Sequence, residues 1–139
     1  MKRPIICIFL FSIILCSAQQ DCSLGIGGEN DDTITEVFQL NAEQVEKMRN
    51  WGAELKVRND ILKSKAAYLL KKNEESAPED LISMSYEYKK LLDSMKQNSR
   101  MLDKRMLSIF NNKQYSLYTE LCDQLALTPI FVNRSVNEK

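Results

Sequence analysis

Leu40-Asn41-Ala42-Glu43-Gln44 and, 70 residues later, Phe110-Asn111-Asn112-Lys113-Gln114 share one pattern: an apolar residue, then Asn, then Gln three positions on. An Asn side-chain oxygen accepts from an orphan N–H of the first helical turn. Gln at the third helical position reaches back to the N–H of the cap residue itself. Each segment therefore predicts a helix start, with Leu40 or Phe110 placed to staple the entry of the chain.

Between the two starts the pattern is helical. Met48, Leu55, Leu62 and Leu69 recur at seven-residue steps and so share one stripe. Val45, Gly52, Asn59 and Ala66 precede them by three, small or polar enough to let another helix approach closely. This predicts a first long helix from Asn41 to about Glu75. Ser76-Ala77-Pro78-Glu79 reads as a second capping box, with Pro in the first turn, where its missing N–H costs nothing. Leu81, Tyr88, Met95, Leu102 and Ile109 then step by sevens to Phe110, joined by Met84 and Leu91 and interrupted by Asn98 and Arg105. A shorter third helix follows Asn111, with Tyr115, Tyr118, Leu121, Cys122 and Leu125 inward, and Thr128-Pro129 ends it. No stretch alternates as a strand does. The expectation is all-α: a long helical hairpin plus a shorter third helix.

Upstream, Lys2 and Arg3 precede an apolar run from Ile5 to Leu15, and Cys16-Ser17-Ala18 offers small residues for cleavage. Residues 1–18 read as an export signal, too short to span a membrane. Lipidation at Cys16 is the alternative, although Leu15 is larger than the residue that usually precedes a lipidated Cys. Removing the signal from 139 residues leaves a single domain of about 120, with 17 basic against 19 acidic residues. This even mixture argues against nucleic acid as a partner, and nothing predicts membrane insertion after cleavage. Residues 19–38 hold Gly25, Gly27, Gly28 and Glu29-Asn30-Asp31-Asp32, and read as a flexible acidic tail. Residues 39–128 form the helical domain and residues 129–139 a loose tail. Asn133-Arg134-Ser135 matches a glycosylation sequon, which would matter in a secreted eukaryotic protein.

Cys22 and Cys122 stay in the mature chain. In an oxidising compartment they could bridge within one chain or between two; otherwise Cys122 is a small core residue and Cys22 a free thiol. The chain has no histidine, so the commonest general base and the usual zinc ligand are missing. No glycine-rich phosphate loop appears, and the carboxylates are interleaved with lysines as on solvated helix faces. The expectation is a protein that is not an enzyme and has no cofactor. Met48, Met84, Met95, Met101 and Met106 read as packing residues, with soft-metal binding by Met95 and Met106 as the rival reading. Trp51 and Tyr68 fall off the Met48/Leu55 seam, as edge packing or as part of an exposed face.

With these features the chain resembles the Spy/CpxP family of periplasmic proteins, named for a repeated Leu-Thr-x-x-Gln motif. Leu40 to Gln44 would be the first copy and Phe110 to Gln114 the second, with Asn in place of Thr in both and Phe110 in place of Leu. The resemblance implies a thin, cradle-shaped antiparallel homodimer of helical hairpins. It implies an ATP-independent periplasmic chaperone or envelope-stress modulator, which reversibly binds unfolded or partly folded proteins. Met48, Trp51, Leu55 and Tyr68 are the expected client-binding residues. Metal sensing, which in related proteins uses His-containing sites, is not expected here. The alternative is a secreted adaptor or sensor module that docks on one folded envelope partner.

Overall fold

Two helices of 31 residues dominate the chain, α2 (Ala42–Lys72) and α3 (Pro78–Ser108). They are preceded by the short α1 (Asp31–Val37) and followed by α4 (Asn112–Gln124). These elements come from a computed structural model that describes residues 20–134. Among them there is no strand; one isolated bridge joins Asp21 to Thr128. The fold is all-α, with α2 and α3 packed together as a helical hairpin. The export-signal reading of residues 1–18 and the last five residues lie outside the described part.

Both Asn-x-x-Gln segments start helices as their chemistry dictates. Asn41 Oδ1 accepts from the Gln44 N–H at 2.9 Å, and the Asn41 N–H donates to Gln44 Oε1 at 3.0 Å. Asn111 and Gln114 repeat the pair, at 2.9 Å both ways. The start of α3 differs from expectation. Its N-cap is Ala77, without a side-chain cap, and Pro78 opens the helix. Ser76 instead donates to Asn73 Oδ1 at 3.2 Å, across the turn leaving α2. Pro fixes the backbone angle a first helical residue needs, so the start survives without its box.

α1 and α4 end alike, each on a residue of positive φ that is not glycine: Gln39 (48°) and Ala126 (54°). Leu40 N–H bonds back to Thr35 O at 3.0 Å and Leu127 N–H to Cys122 O at 2.9 Å. These long return bonds close both helices in the Schellman arrangement and turn the chain sharply.

The buried cluster sits at one end of the hairpin. Met48 and Leu55 enter it from α2; Leu102, Met106 and Leu107 come from α3, and Tyr118 and Cys122 from α4. Cys22, Ile26, Ile34, Phe38, Phe110 and Ile130 complete it. Within the described residues 20–38 and 129–134, both expected tails are therefore ordered against the core. Residues 20–38 carry four of its buried side chains, and Ile130 donates its N–H to the Tyr118 hydroxyl at 2.8 Å. Arg134 also reaches back, donating to Phe110 O at 2.9 Å and stacking on the Tyr115 ring. Acidic and glycine-rich composition hid the apolar Ile26, Ile34 and Phe38, which are buried with side chains from the far end of the chain. Leu125, expected inward, caps α4 and faces solvent.

Beyond Leu55 on α2 and before Leu102 on α3, the two helices have little but each other. Ala66 is the one buried apolar residue of this arm among the described residues. Asn98, which interrupts the seam, donates to Asn59 at 3.2 Å, and Arg105 donates to Glu54 at 3.0 Å. The polar interruptions face one another across the hairpin, which removes the penalty of placing them there.

Candidate functional site

The base of the hairpin is closed by the two motif glutamines. Gln44 Nε2 donates to Gln114 Oε1 at 2.9 Å, and Gln114 Nε2 donates to Gln44 Oε1 at 3.0 Å. The second proton of each amide goes to a backbone carbonyl of the opposite segment: Gln44 to Ile109 O at 2.9 Å and Gln114 to Phe38 O at 3.0 Å. Each Oε1 also accepts from its own cap N–H, so both side-chain amides use all their capacity while buried. The Phe38 and Phe110 rings lie 5.0 Å apart beside them. Phe110, expected to staple the start of α4, thus meets a ring from the end of α1. The motif residues Leu40, Asn41, Gln44, Phe110, Asn111 and Gln114 are brought together here as a structural lock.

An N-terminal strap crosses this base. Cys22 and Cys122 are joined by a disulfide, which resolves the open pairing as intramolecular, with Cα atoms 5.7 Å apart. Asp103, fully buried, anchors the next residues: its carboxylate accepts from Ser23 Oγ at 2.6 Å, Leu24 N–H at 3.0 Å and Ile26 N–H at 3.3 Å. Burial raises the Asp103 pKa above its ordinary value, and these hydrogen bonds offset part of that rise. Arg100 pairs with Asp21 at the strap's start. The Tyr118 hydroxyl donates to Cys22 O at 2.7 Å, and burial likewise raises its pKa. At the strap's turn, Gly27 (φ +82°) lies directly on Gly52 of α2. The sequence flagged the cysteines; nothing in it flagged Asp103, whose partners lie 77 to 80 residues away.

The expected client-binding residues do not form one surface. Met48 is 1% exposed and Leu55 9%, both in the core, so their assignment to an open face is corrected. The seven-residue stripe located the buried side of α2 correctly, but at this end α1, α4 and the strap cover it. Trp51 is half-buried against the same core. Tyr68 alone stands open, at 68% exposure. It belongs to a different group. Among the described residues, nine of the twelve large exposed apolar side chains lie between residues 56 and 101, on the arm. Val57, Ile61 and Tyr68 share one face of α2, and Ile82 and Tyr86 stand one turn apart on α3. The sequence held this signal in Val57 and Ile61, apolar residues off the seam.

The arm's acids and bases are spaced as surface pairs, such as Lys89 with Asp93 at 3.0 Å. Met106, a candidate soft-metal ligand by sequence, is packed in the core without exposure. No group of three His, Cys, Asp or Glu among the described residues could hold a metal ion, and none of these helices is long and apolar enough to cross a membrane. Comparison with family models, with curated proteins and with solved structures finds no match for this chain.

Proposed function

We propose that the protein is an ATP-independent holding chaperone or stress modulator of the bacterial envelope, of the Spy/CpxP type. The carrying observation is the division between a locked base and an arm with large apolar side chains in solvent. Monomeric proteins rarely leave extended apolar surface uncovered unless something binds there. Val57, Ile61 and Tyr68 on α2, with Ile82 and Tyr86 on α3, take the role first given to Met48 and Leu55. Flexible chains with exposed apolar groups would bind this shallow surface and leave as they bury those groups themselves. The disulfide suits an oxidising compartment, and a second copy of the arm is the natural competitor for the same surface.

The test is light scattering from a chemically unfolded, aggregation-prone enzyme, without ATP. Suppression at near-stoichiometric amounts, lost in an Ile61→Ser/Tyr68→Ser/Tyr86→Ser variant that keeps its helical circular dichroism, supports the reading. No suppression by the parent protein moves the assignment to an adaptor with one folded partner.

A further inference from the structure

Toward the α2–α3 turn the two helices leave a cleft of about 380 Å³. Its apolar lining is Tyr68, Leu69 and Leu91, and Lys65, Lys72 and Lys90 rim it. Glu87 is the one acid in the lining, so the site carries two positive charges in excess. None of these three lysines is in an ion pair, and the same holds for Lys56, Lys71, Lys96, Lys104 and Lys113 among the described residues. Lys47, Lys63 and Lys89 each sit within 4 Å of a carboxylate. The cleft continues along α2, through the shared Lys65 and Tyr68, into a hollow lined by Ile61 and Val57 together with Asp60 and Ser64. From Val57 to Lys72 this track runs about 22 Å at 1.5 Å per residue.

We propose that the cleft binds a long-chain anionic amphiphile of the fatty-acid class. The alkyl chain lies along Leu69, Leu91 and Tyr68, and the carboxylate sits among the three lysines. The polar lining decides between this ligand and a polypeptide. Ammonium groups only donate. A peptide brings backbone N–H donors as well as carbonyl acceptors, and the cleft offers those donors only Glu87 and the Tyr68 hydroxyl. A fatty acid brings acceptors at one end and apolar surface elsewhere, which fits a mostly apolar cleft with a few convergent charges.

The purified protein is titrated with a fluorescent polyunsaturated fatty acid below its micellar concentration. The expected result is saturable one-to-one binding, displaced by palmitate but not by the matching alcohol or by an alkyl trimethylammonium ion. The variant Lys65→Gln/Lys72→Gln/Lys90→Gln, all surface changes, weakens binding about tenfold or more, as loss of several exposed ion pairs requires. Tyr68→Ser weakens it through the chain instead, leaving the preference for the acid over the alcohol. Non-saturable uptake, equal displacement by the alcohol, or unchanged affinity in the lysine variant overturns the proposal. So does binding to phosphatidylglycerol vesicles or to an acidic peptide without binding to monomeric palmitate. Suppression of aggregation needs no amphiphile, so client holding stands or fails separately.

Discussion

Gln44 and Gln114 exchange amide hydrogen bonds across the base of the hairpin, each donating to the other's oxygen at 2.9 and 3.0 Å. Each Gln thereby belongs to two structures at once, its own capping box and the lock between two helix starts. Gln114→Leu strands more than one group: the Asn111 N–H, the Phe38 carbonyl, and both ends of the Gln44 amide lose a partner. A buried polar group left unsatisfied costs about 1–3 kcal/mol. The single substitution is therefore expected to lower stability by about 2–4 kcal/mol in urea unfolding. Gln44→Leu/Gln114→Leu should lose at least about 1 kcal/mol less than the sum of the singles, because the two residues share partners. Additive losses would mean that each amide serves only its own helix cap.

The disulfide closes a separation of 100 residues, nearly the whole described chain. A crosslink over a loop of that length restricts the unfolded chain by an amount worth about 4–5 kcal/mol, with measured effects more often about 2–4. Reduction, or Cys22→Ser/Cys122→Ser, should lower stability by about 3 kcal/mol. The strap should loosen first. Amide exchange at Leu24 and Ile26, whose N–H groups point at Asp103, is expected to accelerate more than exchange at Met106. Uniform acceleration would show that strap and bundle open as one unit.

The sequence made the helices legible because their signals are local. Asn41 with Gln44, Asn111 with Gln114, and the seven-residue steps of α2 and α3 each lie within a few turns of chain. The strap was illegible because its signals are distant. Ile26, Ile34 and Phe38 were visible as apolar residues, but the side chains that bury them, such as Phe110 beside Phe38, come from the far end of the chain. The same distance explains Met48 and Leu55. Periodicity tells which side of α2 is apolar, and it does not tell at which end other elements will cover that side. Tyr68 stayed open because none of those elements extends along the arm.

Asp103 should leave a mark on the pH dependence of stability. Burial, the largest influence, raises its pKa above the ordinary 3.8, so the folded state holds this proton more tightly than the unfolded chain. The stability contributed by the bound proton is fully present below about pH 3.8 and is lost as pH rises through the folded value. Asp103→Asn retains one acceptor oxygen and does not titrate. The parent's stability relative to this variant is expected to decline as pH rises from 3.8, then level off once Asp103 is ionised. Chemical unfolding at closely spaced pH values checks this. A difference that grows with pH in the parent's favour would mean that the Ser23, Leu24 and Ile26 hydrogen bonds outweigh burial.

Gly52 lies within α2, where an Ala in place of Gly ordinarily gains about 1 kcal/mol. Here the opposite sign is expected. A Cβ on residue 52 would stand 3.1 Å from the Cα of Gly27, and that contact is backbone, not the end of a side chain that can swing away. The strap has little freedom to retreat, because Leu24 and Ile26 are bound to Asp103 on one side. On the other, the Gly27 N–H donates to Asp31 at 2.9 Å. Forcing extra volume into a close contact costs about 1–3 kcal/mol, which exceeds the helix gain. Gly52→Ala should therefore lower the midpoint of thermal unfolding, while the same change in the Cys22→Ser/Cys122→Ser background should cost less, since the strap can then lift. A raised midpoint in the disulfide-bonded protein would show that the strap yields at Gly27 and is not what holds α2 in place.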